Sequence, residues 1–132
     1  MIEAMLDANA CIRIIRGRPK TTGEKFKQNS GALAISMIVY YELSFGAANS
    51  DRPDIHREKL EDFASRLQVI PFDKSAGDHA ADIRLDLSRR GQIIGPMDIL
   101  IAGHARSLGA KLITGNLREF RRVEGLRCED WL

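Results

Sequence analysis

Apolar residues in this chain recur at two alternating periods, and that alternation limits the fold more than any other feature. Short apolar runs at Ile2–Leu6, Ala32–Ser36, Leu67–Pro71 and Lys111–Thr114, with a fifth at Leu126–Glu129, read as strands. Between them lie stripes at three- and four-residue spacing. Ala8–Arg16 carries Ile12 and Ile15, and a second helix runs from the Thr21-Thr22 pair to about Gln28. Met37–Ala48 reads as a helix, and Pro53 opens another with Leu60, Phe63, Ala64 and Leu67 in line. Ser75–Arg90 aligns Ala76, Ala80, Ile83 and Leu87, and Gly95-Pro96 opens a helix with Met97, Leu100, Ile101 and Leu108 on one face. Short strands alternating with helices predict an α/β fold, a parallel sheet covered by helices on both faces. In such sheets ligands bind beyond the carboxyl ends of the strands, so strand–helix junctions carry the functional expectation.

Composition bounds the function. The 132 residues fit one domain, with 44% apolar and 29% charged residues, which excludes a disordered or low-complexity chain. No apolar run approaches the roughly 20 residues needed to span a bilayer, and Met1–Asp7 lacks the basic and apolar regions of a secretory signal. Cys11 and Cys128 make no disulfide framework and fit free thiols in a reducing cytoplasm. His56, His79 and His104 stand alone, without zinc-ligand spacing. The net charge of +2 is too small to define a polyanionic partner, which leaves local clusters to do so.

Three carboxylates stand where charge is otherwise excluded. Asp7 is the only charged residue between Glu3 and Arg13, Glu42 the only one between Gly31 and Ser50, and Asp98 the only formally charged one between Arg90 and Arg106. Each has an ordinary explanation: Asp7 as a helix N-cap, Asp98 as a complement to a helix dipole. Glu42 fits its own less well, because it shares a helical stripe with Ile38 and Phe45, where a solvated Glu is out of place. Taken together, Asp7 and Asp98 top the sheet and Glu42 reaches in from the helix after the second strand. Converging carboxylates repel one another unless a cation lies among them, and hard oxygen donors suit Mg²⁺ or Mn²⁺. Such a site activates water and polarises a phosphoryl oxygen, and two ions about 3.5–4 Å apart also clamp the attacking and leaving oxygens. Phosphodiester hydrolysis is the reaction class this chemistry predicts.

The same residues carry a resemblance. Met5-Leu6-Asp7-Ala8-Asn9-Ala10-Cys11-Ile12, then Ala34-Ile35-Ser36 with Tyr41-Glu42-Leu43 and Phe45-Gly46, then Ile94 to Ala102 around Asp98, and finally Thr114-Gly115-Asn116-Leu117-Arg118-Glu119-Phe120 with Gly125-Leu126 and Glu129-Asp130-Trp131, resemble in order the motifs of the VapC toxin ribonucleases, which are PIN domains of type II toxin–antitoxin systems. The resemblance implies a single PIN domain over residues 1–132. Its fold would be a three-layer α/β/α sandwich with a central, mostly parallel sheet of four to five short strands. It further implies a Mg²⁺- or Mn²⁺-dependent endoribonuclease with Asp7, Glu42 and Asp98 as metal ligands. The substrate would be structured RNA, in the nearest-looking members initiator tRNA cut in the anticodon stem–loop, which inhibits translation. A VapB-type antitoxin, a homodimer and a larger toxin–antitoxin complex are the implied partners. Ala8 stands where many members have Thr, and Gly115 where many have Asn. The fourth acid of many PIN domains corresponds to Asn116, with Glu119 as the nearest carboxylate.

Around the acids, Asn9, Ser36, Thr114, Asn116 and Glu119 are candidates for supporting hydrogen bonds, with local capping or turn bonding as the alternative for Asn9 and Ser36 and an ordinary exposed charge for Glu119. Arg13, Arg16, Arg18 and Lys20 after the first strand, and Arg118, Arg121 and Arg122 after the fourth, are candidates for RNA phosphate contacts, with a solvated face as the alternative. Scarce aromatics favour recognition of RNA shape over base stacking. Two rival readings are a catalytically inactive interaction module and a phospho-receiver domain. The receiver needs an acidic neighbour for Asp7 and a Lys at the end of the last strand, whereas Lys111 begins a strand.

Overall fold

The structure, a computed structural model, describes residues 1–131. Its elements are β1 (Ala4–Leu6), α1 (Ala8–Arg16), α2 (Lys20–Gln28), β2 (Leu33–Ser36), α3 (Met37–Ala48), α4 (Pro53–Ala64), β3 (Gln68–Ile70), α5 (Lys74–Arg89), α6 (Pro96–Ser107), β4 (Lys111–Ile113), α7 (Leu117–Phe120) and β5 (Cys128–Glu129). The five strands form one sheet in the order β3-β2-β1-β4-β5, and every neighbouring pair is parallel. Both cysteines are free. No helix among the described residues is long and apolar enough to cross a membrane.

The order of the strands positions the site. From β1 the chain moves outward through β2 and β3, then crosses back to lay β4 against the other side of β1. Right-handed crossovers in opposite directions put α1–α4 over one face and α5–α6 over the other. The crevice lies where the direction reverses, between the ends of β1 and β4. β1 pairs on both edges, Ala4 and Met5 with Leu33 and Ala34, and Ala4, Met5 and Leu6 with Lys111, Leu112 and Ile113. All three β1 residues are therefore buried, as a strand covered on both faces requires.

Two expectations about helix faces need correction. In α6 the buried residues are Ile99, Ile101, Ala102, Gly103, His104 and Ala105, while Met97 and Leu108 are exposed. The contact with α5 is made by small residues: a Cβ on Gly103 would lie 2.6 Å from the Ala80 backbone nitrogen. Close approach of two backbones selects for absent side chains, which a search for large apolar residues overlooks. In α3 the buried stripe is Val39, Leu43 and Ala47, and Phe45 is 62% exposed. Glu42 thus borders the core face instead of sharing it with Phe45. This helix is apolar nearly all round, so its pattern marks no face. α7, a single turn, is too short to leave a periodic signal.

Replacing Gly103 with Ala should destabilise the protein by about 1–3 kcal/mol through overpacking. Ala's helix preference of about 1 kcal/mol offsets only part of that. Urea titration of the two proteins measures the difference.

Candidate active site

Asp7 follows β1 and caps α1. Its Oδ1 accepts the Ala10 backbone N–H at 2.8 Å, and its Oδ2 accepts the Thr114 hydroxyl at 2.5 Å. Capping and site membership are thus compatible: one oxygen holds the helix, the other faces the end of β4. Thr114 Oγ1 also accepts the Asn116 backbone N–H at 2.9 Å, so the turn after β4 is locked to the same carboxylate. Asp7 is 5% exposed. Burial raises its pKa; the bonds from Thr114 and Ala10 and the nearby Arg13 pull it down, and Asp130 pushes it up.

Glu42 comes from the middle of α3 and is half-buried. Its Oε1 is the one buried side-chain polar atom among the described residues that lacks a hydrogen-bond partner. Its pKa is raised by burial first, then by the charges of Asp98 and Asp7. Asp98 lies in the first turn of α6, with Oδ2 beside Gly95, where a Cβ would come within 3.3 Å. Its pKa is raised by burial, then by Glu119 and Asp7. The three isolated acids therefore lie within electrostatic reach of one another, and α7 brings Glu119 to the Asp98 side. Glu119 Oε2 accepts the Asn116 side-chain amide at 3.0 Å.

These residues pass a physical test for a hard divalent cation. An orphaned buried carboxylate oxygen and three raised carboxyls, two of them pushed up further by neighbouring acids, are what such an ion relieves. Among the described residues no group of three or more His, Cys, Asp or Glu stands close enough together, as arranged here, to hold a metal ion.

Other candidates fall elsewhere. Asn9 is exposed and borders the groove beside Glu42. The Ser36 hydroxyl is turned away from the acids: it accepts the Ile38 N–H at 3.1 Å, capping α3, and meets Nδ1 of buried His104 at 2.7 Å. Arg16, Arg18, Lys20, Arg118 and Arg121 are exposed. Arg122 is part of the scaffold, its Nη1 donating to the Ile93 carbonyl at 3.2 Å. Arg13 is not on the open face; it folds back beside Asp7 and pairs with Asp130 at 3.4 Å. Asp130 itself was not legible as a site neighbour, because it lies at the far end of the chain among other acids. Asp73, which follows β3 where a receiver domain carries its phosphate-accepting Asp, caps α5 instead, and Lys111 pairs with Glu129 at 2.9 Å.

Residues 4–126 match the PIN domain, and the chain belongs to that family. It is 44% identical over 131 residues to the tRNA(fMet)-specific endonuclease VapC of Shigella flexneri, covering 99% of each chain. It is 42% identical over 132 residues to Ribonuclease VapC2 of Haemophilus influenzae, covering 100% of each. Its fold superposes with a TM-score of 0.96 on the DNA-bound VapBC structure from Salmonella typhimurium, at 43% identity and full coverage of both chains. Within the PIN domains it therefore groups with the VapC ribonucleases.

The raised carboxyls make a signed prediction. Their ordinary values are 3.8 for Asp and 4.5 for Glu. An acid raised in the folded state binds its proton more tightly there than in the unfolded chain. Its favourable contribution is full below the unfolded value and is lost as pH rises through the folded one. Without divalent cations, Glu42→Gln and Asp98→Asn should therefore gain in Tm relative to wild type as pH is raised from about 4 to 7, and thermal unfolding across that range reads the difference.

Proposed function

We propose that this chain is the toxin of a type II toxin–antitoxin pair, a Mg²⁺- or Mn²⁺-dependent endoribonuclease that hydrolyses a phosphodiester bond in structured RNA. The observation that carries this reading is the mutual electrostatic reach of Asp7, Glu42 and Asp98 at the sheet's reversal point. The substrate is tRNA, specifically the anticodon stem–loop of initiator tRNA. The specificity of the Shigella flexneri relative, a tRNA(fMet)-specific endonuclease, supports that assignment.

Asp7, Glu42 and Asp98 would hold the metal. When bound, the ion supplies an acidic water and a Lewis acid at the scissile phosphoryl oxygen. The chain's own residues do the rest. Thr114 fixes the orientation of the Asp7 carboxylate, while the Ala10 N–H holds its second oxygen. Asn116 steadies Glu119 at the Asp98 side of the site. Exposed Arg16, Arg18, Lys20, Arg118 and Arg121 take the flanking RNA phosphates, and shape rather than base stacking selects the fold of the RNA.

The partner is a VapB-type antitoxin, supported by the VapBC complex whose toxin chain this one matches. A groove lined by Ile12, Ile15, Leu43, Ala47 and Leu60 runs up to Glu42. An amphipathic helix laid in that groove, followed by a basic side chain, would cover the acids and neutralise them. Dimers of the chain and a larger complex with the antitoxin complete the assembly.

Purified protein should cut tRNA with Mg²⁺ or Mn²⁺ and stop on chelation. Losses on removing residues that orient metal ligands run to about 10–100-fold, so Thr114→Val should lose activity in that range, and Asp7→Asn, Glu42→Gln and Asp98→Asn should lose more. Full activity in an acid variant removes that residue from the ligand set. Folded wild type without metal-dependent cleavage would leave the inactive interaction module as the reading. In cells, expression alone should arrest growth, and co-expression of the antitoxin should restore it.

A further inference from the structure

We propose that Arg13 is a phosphate-binding residue of the acid site itself, and that the bare Cα of Gly115 is the seat that allows it. The proposal rests on the RNA-hydrolysis reading above and assigns one cation within it. Arg13 projects from α1 and is only 28% exposed. Its Nη1 donates to Asp130 Oδ1 at 3.4 Å, a long single contact that leaves the fork of the guanidinium loosely held. The other side of that fork lies over the turn after β4. A Cβ on Gly115 would strike Nη2 and would come within 2.9 Å of Cζ and Nη1. Gly115 follows Thr114, whose hydroxyl donates to Asp7 Oδ2, so the guanidinium lies against the turn that holds the Asp7 carboxylate. The guanidinium is thus bracketed between Gly115 and Asp130, next to the buried carboxylate at the sheet's reversal point.

The clustered charges of Asp7, Glu42, Asp98 and Glu119 repel a polyanion. An approaching phosphodiester therefore needs a fixed cation inside the wall, and a planar guanidinium with spare N–H donors suits two phosphate oxygens. Among the candidate arginines and lysines, Arg16, Arg18, Lys20, Arg118 and Arg121 are exposed, and Arg122 is tied to the Ile93 carbonyl. Arg13 alone among these candidates has its charge placed beside an acid of the site. Gly115 bears no left-handed φ, so its backbone conformation does not require glycine; the space taken by the Arg13 guanidinium does.

The seat gives the test its form. Arg13→Gln removes the cation, whereas Gly115→Ala keeps it and displaces it, since the end of a flexible side chain can swing aside without unfolding the protein. Binding of initiator-tRNA anticodon stem–loop RNA would be measured in an Asp98→Asn background at several salt concentrations. Both substitutions should weaken binding by about tenfold or more. Each should also lower the log–log salt slope by roughly 0.7–0.9, the value of one phosphate contact. Their combination should be no worse than either alone, because both remove one interaction. In otherwise wild-type protein, KM should rise, while Mn²⁺ affinity measured by calorimetry without RNA should not fall. An unchanged salt slope for Arg13→Gln would overturn the proposal. So would a change confined to Mn²⁺ affinity, which would make Arg13 an internal counter-ion of Asp7. Additive losses would separate Gly115 from Arg13 and overturn the seat. Wild-type protein that neither binds nor cuts the RNA would overturn the ribonuclease reading as well, so the two failures are distinguishable.

Discussion

The hydrogen bond from Thr114 to Asp7 joins two residues 107 positions apart, and the site depends on it. It exists because β1 and β4 are neighbours in register, Leu6 opposite Ile113, so both chains leave the sheet at the same height. The next residue of each strand is then the donor or the acceptor of the bond. The backbone repeats the tie, since the Asp7 N–H donates to the Ile113 carbonyl at 3.0 Å. Glu42 and Asp98 are brought in by helices that follow β2 and precede β4, the strands on either side of β1. Parallel pairing of short buried strands thus fixes the depth of Asp7, and the crossovers fix the directions from which the other acids approach.

That arrangement stores an electrostatic conflict. Burial raises all three carboxyls, the charges of neighbouring acids add to the rise at Glu42 and Asp98, and one buried Glu42 oxygen has no partner. The protein does not resolve the conflict with its own cations in full. Arg13 pairs with Asp130, and Arg16, Arg18, Lys20, Arg118 and Arg121 are exposed. A site left short of positive charge in this way is receptive to a divalent ion, and the rim cations are left free for a polyanion.

Much of this was legible in the residues. The strands and helices follow from the change of apolar period, and the three acids stood out because each is alone in an apolar segment. What was hidden depended on contacts across the chain. The apolar stripe expected for α6 failed because the true interface is made of Gly103 and alanines, whose smallness is the packing signal. Glu42 was noticed for a partly mistaken reason: Phe45, taken as its core neighbour, is exposed. Ser36 sits one residue from α3 yet spends its hydroxyl on the helix cap and His104, which no linear spacing reveals. Arg13 looked like a member of a basic cluster, and only the third dimension separates it from Arg16 and Arg18. The gap at Gly115 that receives it is a missing side chain, a feature that gains meaning once its neighbour is known.

The distance along the chain between the two halves of the site has a consequence for synthesis. β1, the central strand, is made first, but the strand that completes one of its edges and delivers Thr114 is made more than a hundred residues later. At translation rates of roughly 5–20 residues per second, several seconds separate the appearance of Asp7 from that of its partner. For most of that interval the nascent chain lacks Asp98, and for all of it the threonine that orients Asp7. On the ribosome the site therefore stays incomplete until the segment that follows β4 has been made.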